Sequence, residues 1–296
     1  MKKTIRQLLN PIKWIKAYQF HQHNAKFDKS TYDLELYLYS KVLKSDMLHY
    51  GYFENTEIAP EDISLKAIED AQVKYAENIK DLIKNKDGLI LDVGCGMGGL
   101  SGLLHDNNFK VEALTPNINQ KNHIDLKYKG VKCYHTKFED FQSDNKYDTI
   151  INSESLQYID LDQAIAHVDH LMNEDGQWII VDYFRHDESG VEKSGQILNT
   201  FHAKIAEKGW KITYFQDITL NALPTIKWIN MYAERFLIPL KHFAFEKLRF
   251  KKAWLYYLTS DLRNGIDKKM VKEFSAIDPD KFLKEKKYLT FVIEKK

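Results

Sequence analysis

Cysteine, long apolar runs and net charge are all scarce in this sequence of 296 residues. With only two cysteines, Cys95 and Cys133, the chain cannot build a disulfide scaffold, and this usage suits a reducing cytoplasm. No Cys/His spacing typical of a zinc site occurs, and we expect no metal site. No run of 18 apolar residues predicts a transmembrane helix, and the N-terminus lacks the apolar centre of a secretory signal. We therefore predict a cytoplasmic protein.

The charges nearly cancel, because 43 basic residues face 42 acidic ones. This balance leaves no overall basic surface for a nucleic acid, and we predict no such partner. Two basic segments stand out locally, residues 1–20 and 241–252. Each can contact an anionic membrane surface, which makes a membrane-peripheral location the alternative. For the N-terminal segment we favour a helix that packs on the domain.

The order of predicted elements indicates an α/β fold. Helical periodicity covers residues 34–48 and 62–85. Short apolar runs then alternate with helical stretches, which is typical of a doubly wound, mostly parallel, Rossmann-like sheet. These runs are Leu89–Val93, Lys110–Leu114, Val131–His135, Thr149–Asn152 and Trp178–Val181.

The C-terminal third departs from this alternation. A helix over 197–209 and a strand over Lys211–Thr219 precede a mostly helical stretch and a last strand, Tyr288–Ile293. We therefore predict three parts. Residues 1–85 form an N-terminal helical cap, residues 86–219 with 287–296 form the Rossmann-like domain, and residues 220–286 form a helical substrate lid.

A glycine-rich turn follows the first predicted strand and opens a helix. Gly94, Gly96 and Gly98 let the backbone turn tightly and let a ligand approach closely. The surrounding Leu-Asp-Val-Gly-Cys-Gly-Met-Gly resembles the first motif of class I S-adenosylmethionine-dependent methyltransferases. The resemblance implies S-adenosylmethionine as the cofactor, with Asp92 and Cys95 joining the three glycines in binding it. The alternative is an ordinary strand–helix turn.

Two further segments resemble one branch of that family. The stretch Ala-Leu-Thr-Pro-Asn-Ile-Asn-Gln is similar to the strand tip of cyclopropane synthases and of some sterol and tocopherol methyltransferases. Thr115 and Gln120 would then hydrogen-bond the ribose. The stretch Lys-Phe-Glu-Asp-Phe resembles a segment of mycolic-acid cyclopropane synthases, which implies Phe138 stacked on adenine and Glu139 accepting from its amine. The alternatives are a strand-end turn and an acidic surface turn.

The fourth strand and an upstream segment complete the resemblance. Residues 147–158 resemble the family's fourth motif, which implies Ser153 at the cofactor and Glu154 at the reaction centre. A helix cap is the alternative role of Glu154. The stretch Met-Leu-His-Tyr-Gly-Tyr-Phe-Glu implies Leu48 and His49 on the cofactor and Tyr50 on the substrate side, with a packed aromatic turn as the alternative. Tyr-Asp-Leu at 32–34 is also similar.

Two departures from the cyclopropane-synthase pattern favour methyl transfer over cyclopropane formation. Cyclopropane synthases hold a carbonate with a cysteine and a glutamate, and the matching positions here are Tyr50 and Gln157. A hydroxyl acceptor needs a base, for which His49, Glu154, Asp182 and His186 are candidates. We predict Glu154, His49, Tyr50 and Asp182 as catalytic residues.

The long helical segment suggests the acceptor. Its aromatic faces can enclose an apolar substrate or stabilise a carbocation. These are Trp228, Tyr232, Phe236, Phe243, Phe245, Trp254, Tyr256 and Tyr257. We predict a methyltransferase for a small apolar molecule, a lipid, isoprenoid or natural product. The alternatives are a methyltransferase for a small polar metabolite and a non-catalytic cofactor-binding scaffold.

Overall fold

An eight-stranded sheet forms the centre of the structure, a computed structural model that describes residues 10–24, 41, 44–188 and 194–295. The strands run in the order β3-β2-β1-β4-β5-β8-β7, and the short β6 pairs with β5. Their bounds are β1 Leu89–Val93, β2 Lys110–Thr115, β3 Lys132–His135, β4 Tyr147–Ser153, β5 Met172–Arg185, β6 Gln196–Ile197, β7 Lys211–Asp217 and β8 Lys286–Glu294.

The strand order reverses between β1 and β4, because β2 and β3 extend to one side of β1 and β5 to the other. The pairings from β3 to β5 are parallel, whereas β8 runs antiparallel to both β5 and β7. In doubly wound sheets, ligands bind beside the carboxyl ends of the strands at such a reversal. The predicted Rossmann-like fold is confirmed, and its topology places a crevice after β1 and β4.

Helices cover both faces of the sheet. They are α1 Pro11–Asn24, α2 Leu65–Asp81, α3 Gly99–Asp106, α4 Ile118–Lys127, α5 Leu161–Leu171, α6 Leu198–Glu207, α7 Thr219–Tyr232, α8 Ile238–Lys251, α9 Ala253–Leu258, α10 Ser260–Ala276 and α11 Pro279–Glu285. Helix α2 shows why the sequence folds this way: the Ser64 side chain caps its N-terminus by accepting from the Ala67 N–H. Its buried face repeats at Ile68, Tyr75 and Ile79.

Two hydrophobic clusters lie on opposite faces of the sheet. One packs β4, β5 and β8 against α5 and α6, with Trp178 and Phe201 at its centre. The other packs β1 and β5 against α2, α3 and α7, and includes Ile79, Leu104 and Ile226. The parallel strands are buried on both sides, which explains why they read as short continuous apolar runs.

The N-terminal helix α1 does not pack on the domain as expected. Helix α1 begins at Pro11, and the Asn10 side chain caps it by accepting from the Ile12 N–H. Its expected packing on the domain is wrong, because every side chain from Pro11 to Gln22 is exposed. Its apolar residues lie on more than one side of the helix, with Ile12 opposite Trp14, so the helix has no distinct apolar face to bury.

The helix predicted over 34–48 falls largely outside the described residues. Its described end, residues 44–48, is not helical, so the prediction is wrong there. The Tyr-Asp-Leu segment at 32–34 and residues 1–9 of the basic segment 1–20 also lie outside the described residues. Within the described part of the chain, no helix combines the length and apolarity needed to cross a membrane.

The segment between β7 and β8 is helical, as expected. Its first helix, α7, is largely buried against the sheet and α2, and Trp228 donates from its indole N–H to the Ile63 carbonyl at 3.0 Å. By contrast α8, α9 and α10, each described in full, contain no buried residue. The predicted lid therefore divides into a core helix and an exposed layer.

Candidate active site

A cavity of about 630 Å³ opens at the carboxyl ends of β1, β2 and β4. Its volume falls in the range of small-molecule sites, roughly 300–1,000 Å³. Apart from Gly98, every residue predicted to contact the cofactor lines it. These are Leu48, His49, Asp92, Gly94, Cys95, Gly96, Thr115, Gln120, Phe138, Glu139 and Ser153.

The glycine loop forms the floor of this cavity. Gly94 and Gly96 have φ values of +72° and +57°, a region that side-chain-bearing residues rarely adopt. A Cβ on Gly94 would lie 2.6 Å from the Ser155 Cβ, and one on Gly96 would lie 3.3 Å from the Leu48 Cδ1. The loop therefore approaches both neighbouring segments as closely as glycine permits, and it presents bare backbone to the cavity.

Gly98 and Asp92 connect the glycine loop to the neighbouring helices. Gly98 does not line the cavity, since a Cβ there would meet the Ile124 side chain of α4 at 2.7 Å. The Asp92 carboxylate accepts from the Ser101 hydroxyl of α3 at 2.5 Å, and burial raises the pKa of Asp92 to about 6. The structure thus gives Gly98 a packing position and ties the end of β1 to the helix that follows the loop.

The ribose and adenine candidates lie along β2 and β3. The Thr115 hydroxyl donates to the Gln120 side-chain oxygen at 2.5 Å, which orients both side chains at the cavity wall. Asn117 between them caps α4 by accepting from the N–H groups of residues 119 and 120. Phe138 is buried at 2% exposure and Glu139 is half-buried, both in the short 3₁₀ turn after β3.

A strap formed by residues 46–50 covers the glycine loop. The buried Gln72 side chain of α2 donates to the carbonyls of Met47 and His49, both at 2.8 Å. At the other end, the Asp46 carboxylate accepts from three side chains of α4 and its C-cap, namely His123, Lys127 and Tyr128. Burial alone would raise the pKa of Asp46, but these hydrogen bonds hold it below its usual value.

Glu154 lies at the centre of the site, directly after β4. Its φ is +51°, a strained value for a residue with a side chain. Its carboxylate accepts from the Tyr288 hydroxyl at 2.5 Å and from the Tyr50 N–H at 2.9 Å. Burial raises the pKa of Glu154 to about 7, although both hydrogen bonds favour ionisation. Since these donors belong to remote segments, the alternative role as a cap of the next helix is wrong.

Aromatic rings pack around Glu154. His49 stacks on Tyr75 with ring centroids 3.9 Å apart, and the hydroxyl oxygens of Tyr288 and Tyr75 lie 3.2 Å apart. The His49 Nδ1 lies 2.9 Å from the Tyr50 carbonyl, so it carries the proton that this contact needs. Its Nε2 is buried and meets no hydrogen-bond partner among the described residues. Burial lowers the pKa of His49 to about 4, which keeps the ring neutral.

The remaining catalytic candidates stand back from the cavity. Asp182 is buried at 1% exposure and accepts from the backbone N–H groups of Gln157 and Tyr183. Burial and the charge of Glu154 raise the pKa of Asp182 to about 8. Tyr50 reaches the site through its backbone, and its ring packs against Phe282 and Tyr288. The structure therefore brings His49 and Glu154 to the cavity, but not the side chains of Tyr50 and Asp182.

Other expected residues lie elsewhere, and some contributors had not been predicted. None of the eight aromatic candidates of the 220–286 segment lines the cavity, and His186 is exposed away from it. Asp46, Gln72, Tyr75 and Tyr288 were missed. Gln72 could have been identified from the sequence, because it is a polar residue on the otherwise apolar, buried face of α2. Asp46 directly precedes the segment that contains Leu48 and His49, but no pattern in the sequence marks it as an anchor to α4. Tyr75 and Tyr288 lie in other segments of the chain, where nothing local indicates a role in the site.

Comparisons with known proteins identify the family of the chain. A family model described as a methyltransferase domain matches residues 67–240. An uncharacterized methyltransferase of Staphylococcus carnosus is 26% identical over 116 residues, covering 38% of this chain and 56% of that protein. The chain spans about half the length of the curated relatives it matches.

Two solved structures share the fold over almost the whole chain. Geranyl diphosphate C-methyltransferase from Streptomyces coelicolor superposes with a TM-score of 0.60 at 15% identity, covering 90% of this chain and 95% of that one. The cyclopropane synthase MmaA2 from Mycobacterium tuberculosis superposes with a TM-score of 0.60 at 14% identity, covering 90% and 96%. At these identities the likeness concerns the fold alone.

Proposed function

This chain belongs to the methyltransferase domain family, and we propose that it transfers the methyl group of S-adenosylmethionine to a small apolar acceptor. We place the acceptor among lipids, isoprenoids and related natural products. The observation that carries this proposal is a buried carboxylate, Glu154, which faces the cavity and is surrounded by aromatic rings. Two proteins of the same fold are named for a geranyl diphosphate substrate and for cyclopropane synthesis.

The residues of the cavity suit S-adenosylmethionine. Gly96 offers bare backbone under the strap, and the buried His49 Nε2 presents an acceptor that fits the amino group of the methionine moiety. Thr115 with Gln120 would hold the ribose, and Phe138 with Glu139 the adenine, as the family resemblance implies. The cofactor, when bound, supplies an electrophilic methyl group on a sulfonium with a good leaving group.

The contribution of the protein is mainly positioning and electrostatics. With a pKa of about 7, Glu154 can stabilise a neighbouring positive charge when ionised and can take up a proton from the acceptor. The rings of Tyr75 and Tyr288 close the space beside it and exclude water. Asp182 supports this arrangement by accepting from the backbone N–H of Gln157, three residues after the strained Glu154.

The surroundings of Glu154 support an apolar acceptor. The rings of four residues pack edge to face or stacked, with neighbouring ring centroids 6.0–6.5 Å apart, namely Tyr50, Tyr183, Phe282 and Tyr288. These rings do not line the cavity themselves, but they make the surroundings of Glu154 apolar. Apolar surroundings favour hydrocarbon over a charged metabolite, and aromatic rings can also stabilise a developing carbocation. An acceptor of this kind partitions into membranes.

A transfer assay tests the activity and the acceptor class together. The protein is incubated with methyl-labelled S-adenosylmethionine and a whole-cell extract of its source, and label is counted in the organic and aqueous phases. We expect enzyme-dependent label in the organic phase and none with Gly96→Arg. Label confined to the aqueous phase would replace the apolar acceptor with a polar metabolite. No transfer, with cofactor binding verified by calorimetry, would favour a cofactor-binding scaffold.

A further inference from the structure

The exposed layer formed by α8, α9 and α10 carries more apolar surface than a protein normally leaves in water. These helices, described in full, bury no residue. Scattered exposed apolar residues are ordinary, but a concentration of large ones marks an interaction surface. The most exposed of these residues are Leu240, Phe243, Phe250, Tyr257, Leu258, Leu262 and Val271, at 59–79% exposure.

On α8 the exposed residues share one face. Leu240, Phe243, Lys247, Phe250 and Lys251 recur at steps of three and four, which places them on one side of a helix. The Lys247 Nζ lies 5.2 Å from the centroid of the Phe243 ring, as this arrangement requires. The face extends for about 16 Å along the helix, from the rise of 1.5 Å per residue. We call it the α8 face.

The opposite side of α8 is occupied by internal contacts. Lys241 pairs with Asp267 of α10 at 2.7 Å. The Arg263 guanidinium of α10 lies 6.0 Å from the Phe245 ring. The one carboxylate of α8, Glu246, lies three residues after Phe243 and four before Phe250, at the edge of the α8 face, where it pairs with Arg249 at 2.5 Å. Because Arg249 neutralises this carboxylate, the α8 face keeps the positive charge of Lys247 and Lys251 between its apolar side chains.

We propose that the α8 face docks on the anionic surface of a lipid bilayer. The rings of Phe243 and Phe250 enter the boundary between headgroups and acyl chains, and Lys247 and Lys251 lie at the level of the lipid phosphates. Charge complementarity selects this occupant over a second copy of the chain, because a symmetric contact would bring the lysines of both copies together. The proposal goes beyond methyl transfer and does not depend on it, since no residue of α8 lines the cofactor cavity.

Co-sedimentation of the full-length protein with vesicles tests the docking. The vesicles contain either equal parts of phosphatidylglycerol and phosphatidylcholine or phosphatidylcholine alone. We expect binding to the anionic vesicles that weakens as salt is raised. The double variant Phe243→Ser/Phe250→Ser should bind at least about tenfold more weakly, because it removes two inserted rings. Lys247→Glu/Lys251→Glu should also lose about tenfold or more, because repulsion replaces attraction.

The matched control is Leu126→Ser on α4, where the leucine is 79% exposed but lies outside the α8 face. It should bind vesicles like the wild type. All variants should bind S-adenosylmethionine normally, which verifies folding without relying on turnover. Absent binding, equal binding to both vesicle types, or wild-type binding by both double variants would overturn the proposal. A dimer in sedimentation velocity that Phe243→Ser/Phe250→Ser dissociates, without vesicle binding, would assign the face to a second copy instead.

Discussion

Replacing Glu154 with glutamine should make the protein more stable at alkaline pH and change little at acidic pH. In the folded state burial raises the pKa of this carboxyl from 4.5 to about 7, so folding opposes its ionisation. Between these two pH values the folded state binds more protons than the unfolded state, and the free energy of unfolding falls as pH rises. Glutamine cannot ionise, yet its amide oxygen can still accept from Tyr288 or Tyr50.

The magnitude follows from the difference between the two pKa values. Each pKa unit corresponds to 1.36 kcal/mol, so above pH 7 the wild type loses about 3 kcal/mol that Glu154→Gln retains. In a chain of this size that corresponds to roughly 6–12 °C in melting temperature. The substitution also removes a charge that raises the pKa of Asp182, which adds to the gain. Urea unfolding from pH 4.5 to pH 8.5 measures the effect.

The control is Glu139→Gln, which removes a half-buried carboxylate from the same cavity. Its unfolding profile should run parallel to that of the wild type. If Glu154→Gln also runs parallel, or is less stable at pH 8 than at pH 5 relative to the wild type, then Glu154 is not a buried carboxyl with a raised pKa. The reasoning about the reaction centre would fail with it.

Three further changes test other parts of the site. Gly96→Arg should abolish S-adenosylmethionine binding in calorimetry, because the arginine side chain fills the cavity. The left-handed φ at this position should lower the free energy of unfolding by only about 1–2 kcal/mol. Binding with unchanged affinity would show that the cofactor site lies elsewhere. Asp46→Asn should accelerate cofactor dissociation several-fold in stopped-flow fluorescence, since the strap loses its anchor to α4; an unchanged rate would show that the strap does not gate exchange. Tyr288→Phe should move the acidic limb of the pH–activity profile to higher pH, because the lost hydrogen bond favoured ionised Glu154; an unshifted limb would exclude Glu154 from the titration.

The sheet was predictable because its parallel strands are buried on both faces. Each such strand must be apolar along its length, so β1 appears in the sequence with the bounds that the structure gives it. The run Trp178–Val181 identified only the middle of β5, which extends over Met172–Arg185. Its ends include polar residues whose strand conformation depends on pairing with β4 and β8 rather than on a local pattern. The two-residue β6 carries no pattern at all.

That the proposed cofactor residues line one cavity was also predictable, because their motifs are contiguous in the chain. The glycine loop, the Thr115–Gln120 pair and the Phe138–Glu139 pair each follow one strand, and parallel strands bring their carboxyl ends to one edge. The partners of Glu154 follow no such rule. Tyr50 and Tyr288 lie 104 and 134 positions away in sequence, and only the tertiary fold brings them to the carboxylate.

The strained conformation of Glu154 connects these two halves of the site. A left-handed φ costs a non-glycine residue about 1 kcal/mol or more, so other contacts must hold it. The carboxylate supplies them by accepting from Tyr50 in the strap and from Tyr288 in β8. Because β8 enters antiparallel between β5 and β7, its register sets Tyr288 beside Tyr183 at the carboxyl end of β5. The proposed cofactor cradle therefore depends on local motifs, whereas the proposed reaction centre is complete only when β8 is in place.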